Sequence, residues 1–134
     1  MRLSRLTRTL AVLAALALAS CGSSDEDEFA GTYSGDAVDS QSSSNRKDLA
    51  LTLAAAGATV SGTYRLKAIL IDTSGIVNGT MNGSALALTL TPSTGSNDCP
   101  YTITGTWSPG RITGTYAAVP CFVRSDGTFD LKKK

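Results

Sequence analysis

The stretch ITGTWSPGRITGTYAAV, residues 103–119, writes nearly the same pentapeptide twice around Ser108-Pro109-Gly110-Arg111. In the first copy Ile103, Gly105 and Trp107 alternate with Thr104 and Thr106; in the second Ile112, Gly114 and Tyr116 alternate with Thr113 and Thr115. A period of two puts one set of side chains on one face of a strand and the threonines on the other. Ser-Pro-Gly supplies turn chemistry, and so short a connection makes its two strands antiparallel. The stretch predicts a β-hairpin in which Gly105 lies opposite Gly114.

Working outward, the same unit recurs as Gly31-Thr32-Tyr33, Gly62-Thr63-Tyr64 and Gly79-Thr80-Met81. Alternation also marks Leu49, Leu51 and Leu53, then Val60 to Leu66, then Leu86, Leu88 and Leu90, and finally Phe129 and Leu131. Between the runs stand turn signals: Ala56-Gly57, Asn82-Gly83 and Asp126-Gly127; Asn-Gly between alternating runs is the strongest short hairpin signal. Two longer polar connections are expected, Asp39 to Lys47 and Pro92 to Asp98.

Glycine weakens a strand, so its recurrence on the apolar face needs a cause. A sheet that curls tightly needs small residues on its concave face, where a ring from a neighbouring strand can cover each glycine. The expectation is all-β: an antiparallel meander closing into a small barrel of about eight strands. A flat sandwich is the competing plan. The inward set includes Val60, Leu66, Met81, Leu86, Leu88, Ile103 and Ile112.

The N-terminus reads differently. Arg2, Arg5 and Arg8 precede an apolar run from Thr9 to Ala19, the plan of a secretory signal peptide. The run is too short for a membrane-spanning helix, which takes roughly 20 residues. Leu18-Ala19-Ser20-Cys21 resembles the lipobox of bacterial lipoproteins. The resemblance implies cleavage after residue 20 and a diacylglyceryl thioether on Cys21. Gly22 in place of Asp implies outer-membrane sorting, with the protein facing the periplasm. The expected organisation is a signal peptide at 1–20, an acidic, solvated tether at 21–28 and a β-barrel domain at 29–134. Four consecutive acids in the tether, Asp25 to Glu28, read as hydrated charge; calcium binding is the sharper alternative.

Without residues 1–20 the chain keeps nine basic and eleven acidic residues, a net charge of −2. That balance lacks the basic stripe of a nucleic-acid binder. Once Cys21 is assigned to lipid, Cys99 and Cys121 remain. An oxidising envelope favours a disulfide between them. The hairpin register brings the two within about one residue of each other, at its open end. No CxxC is present to suggest a reactive thiol.

The chain contains no histidine, which removes Ser-His and Cys-His catalysis in their usual forms and the commonest zinc ligand. Seven domain aspartates, Asp36, Asp39, Asp48, Asp72, Asp98, Asp126 and Asp130, read as loop and strand-end residues; a pair acting as in glycosidases is the sharper alternative. No catalytic residue, metal site or cofactor is expected. Trp107, the single tryptophan, and Tyr116 are the candidate ligand-binding residues. Their segments, Thr104 to Trp107 and Thr113 to Tyr116, are similar to the TGTW and TGTY segments of avidin-type barrels, and Gly105-Thr106-Trp107 to the G-x-W motif of lipocalins. The motif stands late in the chain rather than in the first strand.

These features point to a non-catalytic, lipid-anchored envelope protein whose partner is the membrane, through Cys21, together with an envelope protein or cell-wall polymer. Lys132-Lys133-Lys134 would be a free cationic end for such a polymer or for solubility. One alternative is an inhibitor of a secreted hydrolase acting through the Pro92–Asp98 loop; in general plan the chain resembles the membrane-bound lysozyme inhibitors of Gram-negative bacteria. Another is a carrier of a small apolar ligand, which requires a hollow barrel.

Overall fold

A computed structural model describes residues 23–69, 71–93, 99–119 and 125–134. Cys21, Cys121, residues 94–98 of the expected inhibitory loop, and the signal segment lie outside the described residues. Helix α1 (Ser23–Phe29) leads into eight strands: β1 (Gly31–Asp39), β2 (Arg46–Ala56), β3 (Thr59–Ala68), β4 (Ile71–Asn82), β5 (Ala85–Pro92), β6 (Tyr101–Ser108), β7 (Arg111–Ala118) and β8 (Asp126–Lys133). They form one closed antiparallel barrel in chain order, sealed by β1 against β8.

The pattern that predicted the strands also sets their faces. Leu49, Leu51 and Leu53 point inward from β2, Leu86, Leu88 and Leu90 from β5, and Phe129 and Leu131 from β8, all buried. The outer face carries threonines and ion pairs: Arg111–Asp130, Arg46–Asp36 and Arg65–Asp72. Apolar inside and polar outside is the reverse of a membrane-spanning barrel.

Gly105 does lie opposite Gly114, and Gly83 and Gly110 take the turn positions with φ of 60° and 81°. The glycines on the concave face have a different cause from the one expected. A Cβ on Gly114 would run into the carbonyl oxygen of Thr104 and lie 2.5 Å from the Gly105 Cα. The neighbouring backbone itself occupies the space. A ring covers Gly105, where Phe129 Cζ would be 3.2 Å from an added Cβ. Tight coiling thus demands glycine chiefly because adjacent strands approach closely, and only locally because a side chain lies over the gap.

Three expectations are corrected. Asp126-Gly127 is no turn: both residues belong to β8, and Gly127 pairs with Tyr116 on one side and Asp39 on the other. Residues 23–28 are no free tether. So short a helix is marginal alone; here the Gly57 amide donates to Glu26 Oε1 at 2.8 Å and Lys133 Nζ to the Glu28 carbonyl at 2.6 Å. Finally, the terminal lysines are no free end. Lys132 and Lys133 lie in β8, and the Lys134 amide donates to the Thr32 carbonyl at 2.9 Å.

Candidate functional site

The barrel has two unlike ends. At the floor, tight turns at 57–58, 83–84 and 109–110 join β2–β3, β4–β5 and β6–β7. The chain also enters and leaves there. Phe29, from the end of α1, plugs this floor with no exposed surface. Its ring meets Trp107 edge-on at 5.7 Å and Tyr33 at 6.2 Å. Trp107 Nε1 donates to the Tyr33 hydroxyl at 3.0 Å, which donates to the Phe29 carbonyl at 2.6 Å. Burial raises the Tyr33 pKa, the Trp107 bond opposes the rise, and Glu28 adds to it. Every polar atom named in this cluster is engaged, which makes Trp107 a packing residue.

The other end carries the longer connections at 40–45, 93–100 and 119–125. Tyr116 lies here, four residues along the strand pair from Trp107, since it pairs with Ile103 while Trp107 pairs with Ile112. At about 3.3 Å per residue the two sit roughly 13 Å apart along the strands. The structure therefore does not bring the two candidate ligand residues together.

Tyr116 instead meets Tyr101, ring edge to face at 6.0 Å, and the ammonium of Lys47. Lys47 heads the inward series Leu49, Leu51, Leu53 at the start of β2 and is only 4% exposed. Its Nζ donates to Ser125 Oγ at 2.8 Å and lies 5.5 Å from the Tyr116 centroid and 6.0 Å from that of Tyr101. Lysine is almost never fully buried unless paired, so this is the most unusual placement in the barrel. Sequence reasoning missed it by assigning Lys47 to the polar connection. The signal was the alternation itself, which counts back from Leu49 to Lys47 on the same face.

Beneath Lys47 a cavity of about 10 Å³ is lined by Leu49, Leu66, Leu90, Ile103, Tyr101 and Tyr116. That is room for about one water. A small-molecule site takes roughly 300–1,000 Å³, so this cavity is too small for the carrier reading.

Burial pushes the Tyr116 phenol up to about 12, with Asp39 and Tyr101 adding to the rise. A phenol that resists ionisation in the fold costs stability once the unfolded chain begins to ionise. The Tyr116 contribution to stability is therefore expected to be flat below pH 10 and to fall between pH 10 and about 12. Tyr116→Phe should flatten that fall in alkaline urea titrations; an unchanged slope would mean that Tyr116 ionises freely in the folded protein.

No family model, no curated protein and no solved structure matches the chain. Function must be argued from this geometry alone. Asp72 and Asp130 are both held below the usual carboxylate range, first by hydrogen bonds from Arg65 and Arg111. A glycosidase general acid needs the opposite shift. Asp36 is likewise bonded to an arginine, Arg46 at 3.0 Å, on the outer face. A small closed barrel with a buried lysine at its loop-bearing end is consistent with a binding-type protein.

Proposed function

We propose that the chain is a non-catalytic binding protein of the bacterial cell envelope, held to the membrane by lipid on Cys21 and meeting its partner at the loop-bearing mouth of the barrel. The observation that carries this reading is the polarity of the molecule. Helix α1 begins at Ser23, two positions after Cys21, and enters the floor. A lipid on Cys21 would leave less than about 10 Å of extended chain before α1. The floor then faces the membrane, and the mouth, with Lys47 and the long connections, stands roughly 20 Å away across the tilted strands. The polar outer face suits a barrel that sits on a bilayer rather than within it. The absence of histidine from the chain supports binding over catalysis.

The anchor has a direct test. Labelled palmitate should enter the wild-type protein and place it in the membrane fraction. Cys21→Ala should stay unlabelled and unprocessed. Equal labelling of both would overturn the assignment.

The pairing of Cys99 with Cys121 belongs to the same reading. Tyr101 pairs with Ala118, and the Val119 amide donates to the Pro100 carbonyl at 2.9 Å. If that register continued by one step, Cys99 would come within one residue of Cys121. Such a bond closes a loop of about two dozen residues, so Cys99→Ser should cost on the order of 3 kcal/mol and leave a thiol that reacts with maleimide. Labelling of both thiols in unreduced wild-type protein would show them unpaired.

A further inference from the structure

We propose that the mouth of the barrel is a site for one small oxyanion, a carboxylate or a phosphate group, with Lys47 as its counter-ion. The proposal rests on the reading of that end as the binding end.

Among the described residues, no carboxylate makes direct contact with the Lys47 ammonium. An ammonium has three donors. Lys47 uses one of them on Ser125 and has two tyrosine rings nearby. Ring faces offset part of a cation's charge but accept no strong hydrogen bond. Three ion pairs form among the described residues, and none of them includes Lys47. Taking an ammonium out of water is costly unless a counter-charge and hydrogen bonds answer it. The three leucines that follow it on this face show what the fold alone asks for. Leucine or methionine would continue that series without the cost.

The surrounding polar atoms suit the same ligand. The Tyr116 hydroxyl is buried and makes no hydrogen bond of good geometry, although Ser125 lies beside it. Farther off, two strands from β2 and opposite Leu66, Thr73 Oγ1 is also buried without a partner. Hydroxyls and an ammonium together offer donors, and an oxyanion is rich in acceptors. The cavity below admits about one water, so the anionic group stops at the level of Lys47 and the body of its ligand remains outside the barrel.

Two carboxylates stand at the rim. Asp39 Oδ1 accepts from the Gln41 amide at 2.9 Å, and Asp126 Oδ2 from Ser40 Oγ at 3.1 Å. Both act on Tyr116 through their charge. They work against multiply charged ligands, so the site fits a single anionic group better than a polyanion.

The test uses the full-length protein purified in detergent. Sodium acetate or sodium phosphate is added at an ionic strength held constant with sodium chloride. One reading is Tm; the other is the 15N signal of the buried Lys47 ammonium. At about tenfold above half-saturation, Tm should rise by about 5 °C, and the Lys47 signal should move along the same curve. Lys47→Met should lose the rise, and Lys47→Arg should keep it. A response to acetate alone identifies a carboxylate ligand, to phosphate alone a phosphate group, and to both a general oxyanion site. No saturable response to either anion, or an undiminished one in Lys47→Met, overturns the proposal. If Lys47→Met does not fold, an unmoved Lys47 signal in the wild type overturns it equally. Either failure leaves the palmitate result standing, so the site and the anchor are judged separately.

Discussion

Gly114→Val is expected to lose about 3 kcal/mol of stability or more, at the upper end of what overpacking costs. Ordinary overpacking displaces side chains, which have other rotamers available. Here the added Cβ runs into the Thr104 carbonyl and the Gly105 Cα, so relief requires β6 and β7 to separate or slip. Thr104 pairs with Thr115 in that same ladder, and β7 is also held by β8. A shift of β7 therefore disturbs two ladders of a closed barrel.

Two neighbours calibrate the effect. An added Cβ at Gly105 would meet the Thr113 carbonyl at 2.8 Å and the tip of the Phe129 ring at 3.2 Å. A ring edge gives way more easily than backbone, so Gly105→Ala should cost less than Gly114→Val. Thr113 belongs to the outward-facing set beside Thr106 and Asp130, and Thr113→Val should be nearly neutral. The measurement is urea unfolding of the three variants. If Thr113→Val proves worse than Gly114→Val, the faces of this hairpin are assigned backwards.

That ranking follows from a register legible in seventeen letters of sequence. Alternation and turn chemistry were enough to place Gly105 opposite Gly114, because a period of two allows only two faces and the Ser-Pro-Gly turn fixes which residues meet. Closure into eight strands was legible for a similar reason: glycine recurring on one face marks curvature. What pattern reading missed was every residue whose role depends on distant strands. Asp126-Gly127 has turn composition, yet Gly127 lies in a strand because the Val38 carbonyl closes over it from β1, an approach invisible from its own neighbours. Lys47 reads as a solvent residue because charge outweighs periodicity in a local window. Trp107 and Tyr116 look equivalent in the repeat. In a closed barrel their four-residue offset sends one to a plugged floor and the other to the mouth.

The acidic segment before β1 shows the same effect and leads to a second large expectation. By composition Asp25 to Glu28 belong to water, and the barrel domain is expected to begin at Phe29. In the structure Phe29 ends a helix instead, and its ring fills the floor against Tyr33 and Trp107. Phe29→Ala should cost about 3–5 kcal/mol, the usual range for deleting a fully buried aromatic ring. The variant isolates the ring, because Tyr33 donates to the Phe29 backbone carbonyl, which alanine retains. Loss of the ring opens the floor beside the single tryptophan, so Trp107 emission should shift to the red in the folded variant. A segment that merely tethered the barrel would behave otherwise: urea stability would change by less than about 1 kcal/mol, as for surface substitutions, and the emission would stay where it is. That result would separate α1 from the fold and remove the argument that the membrane anchor and the barrel floor are mechanically joined.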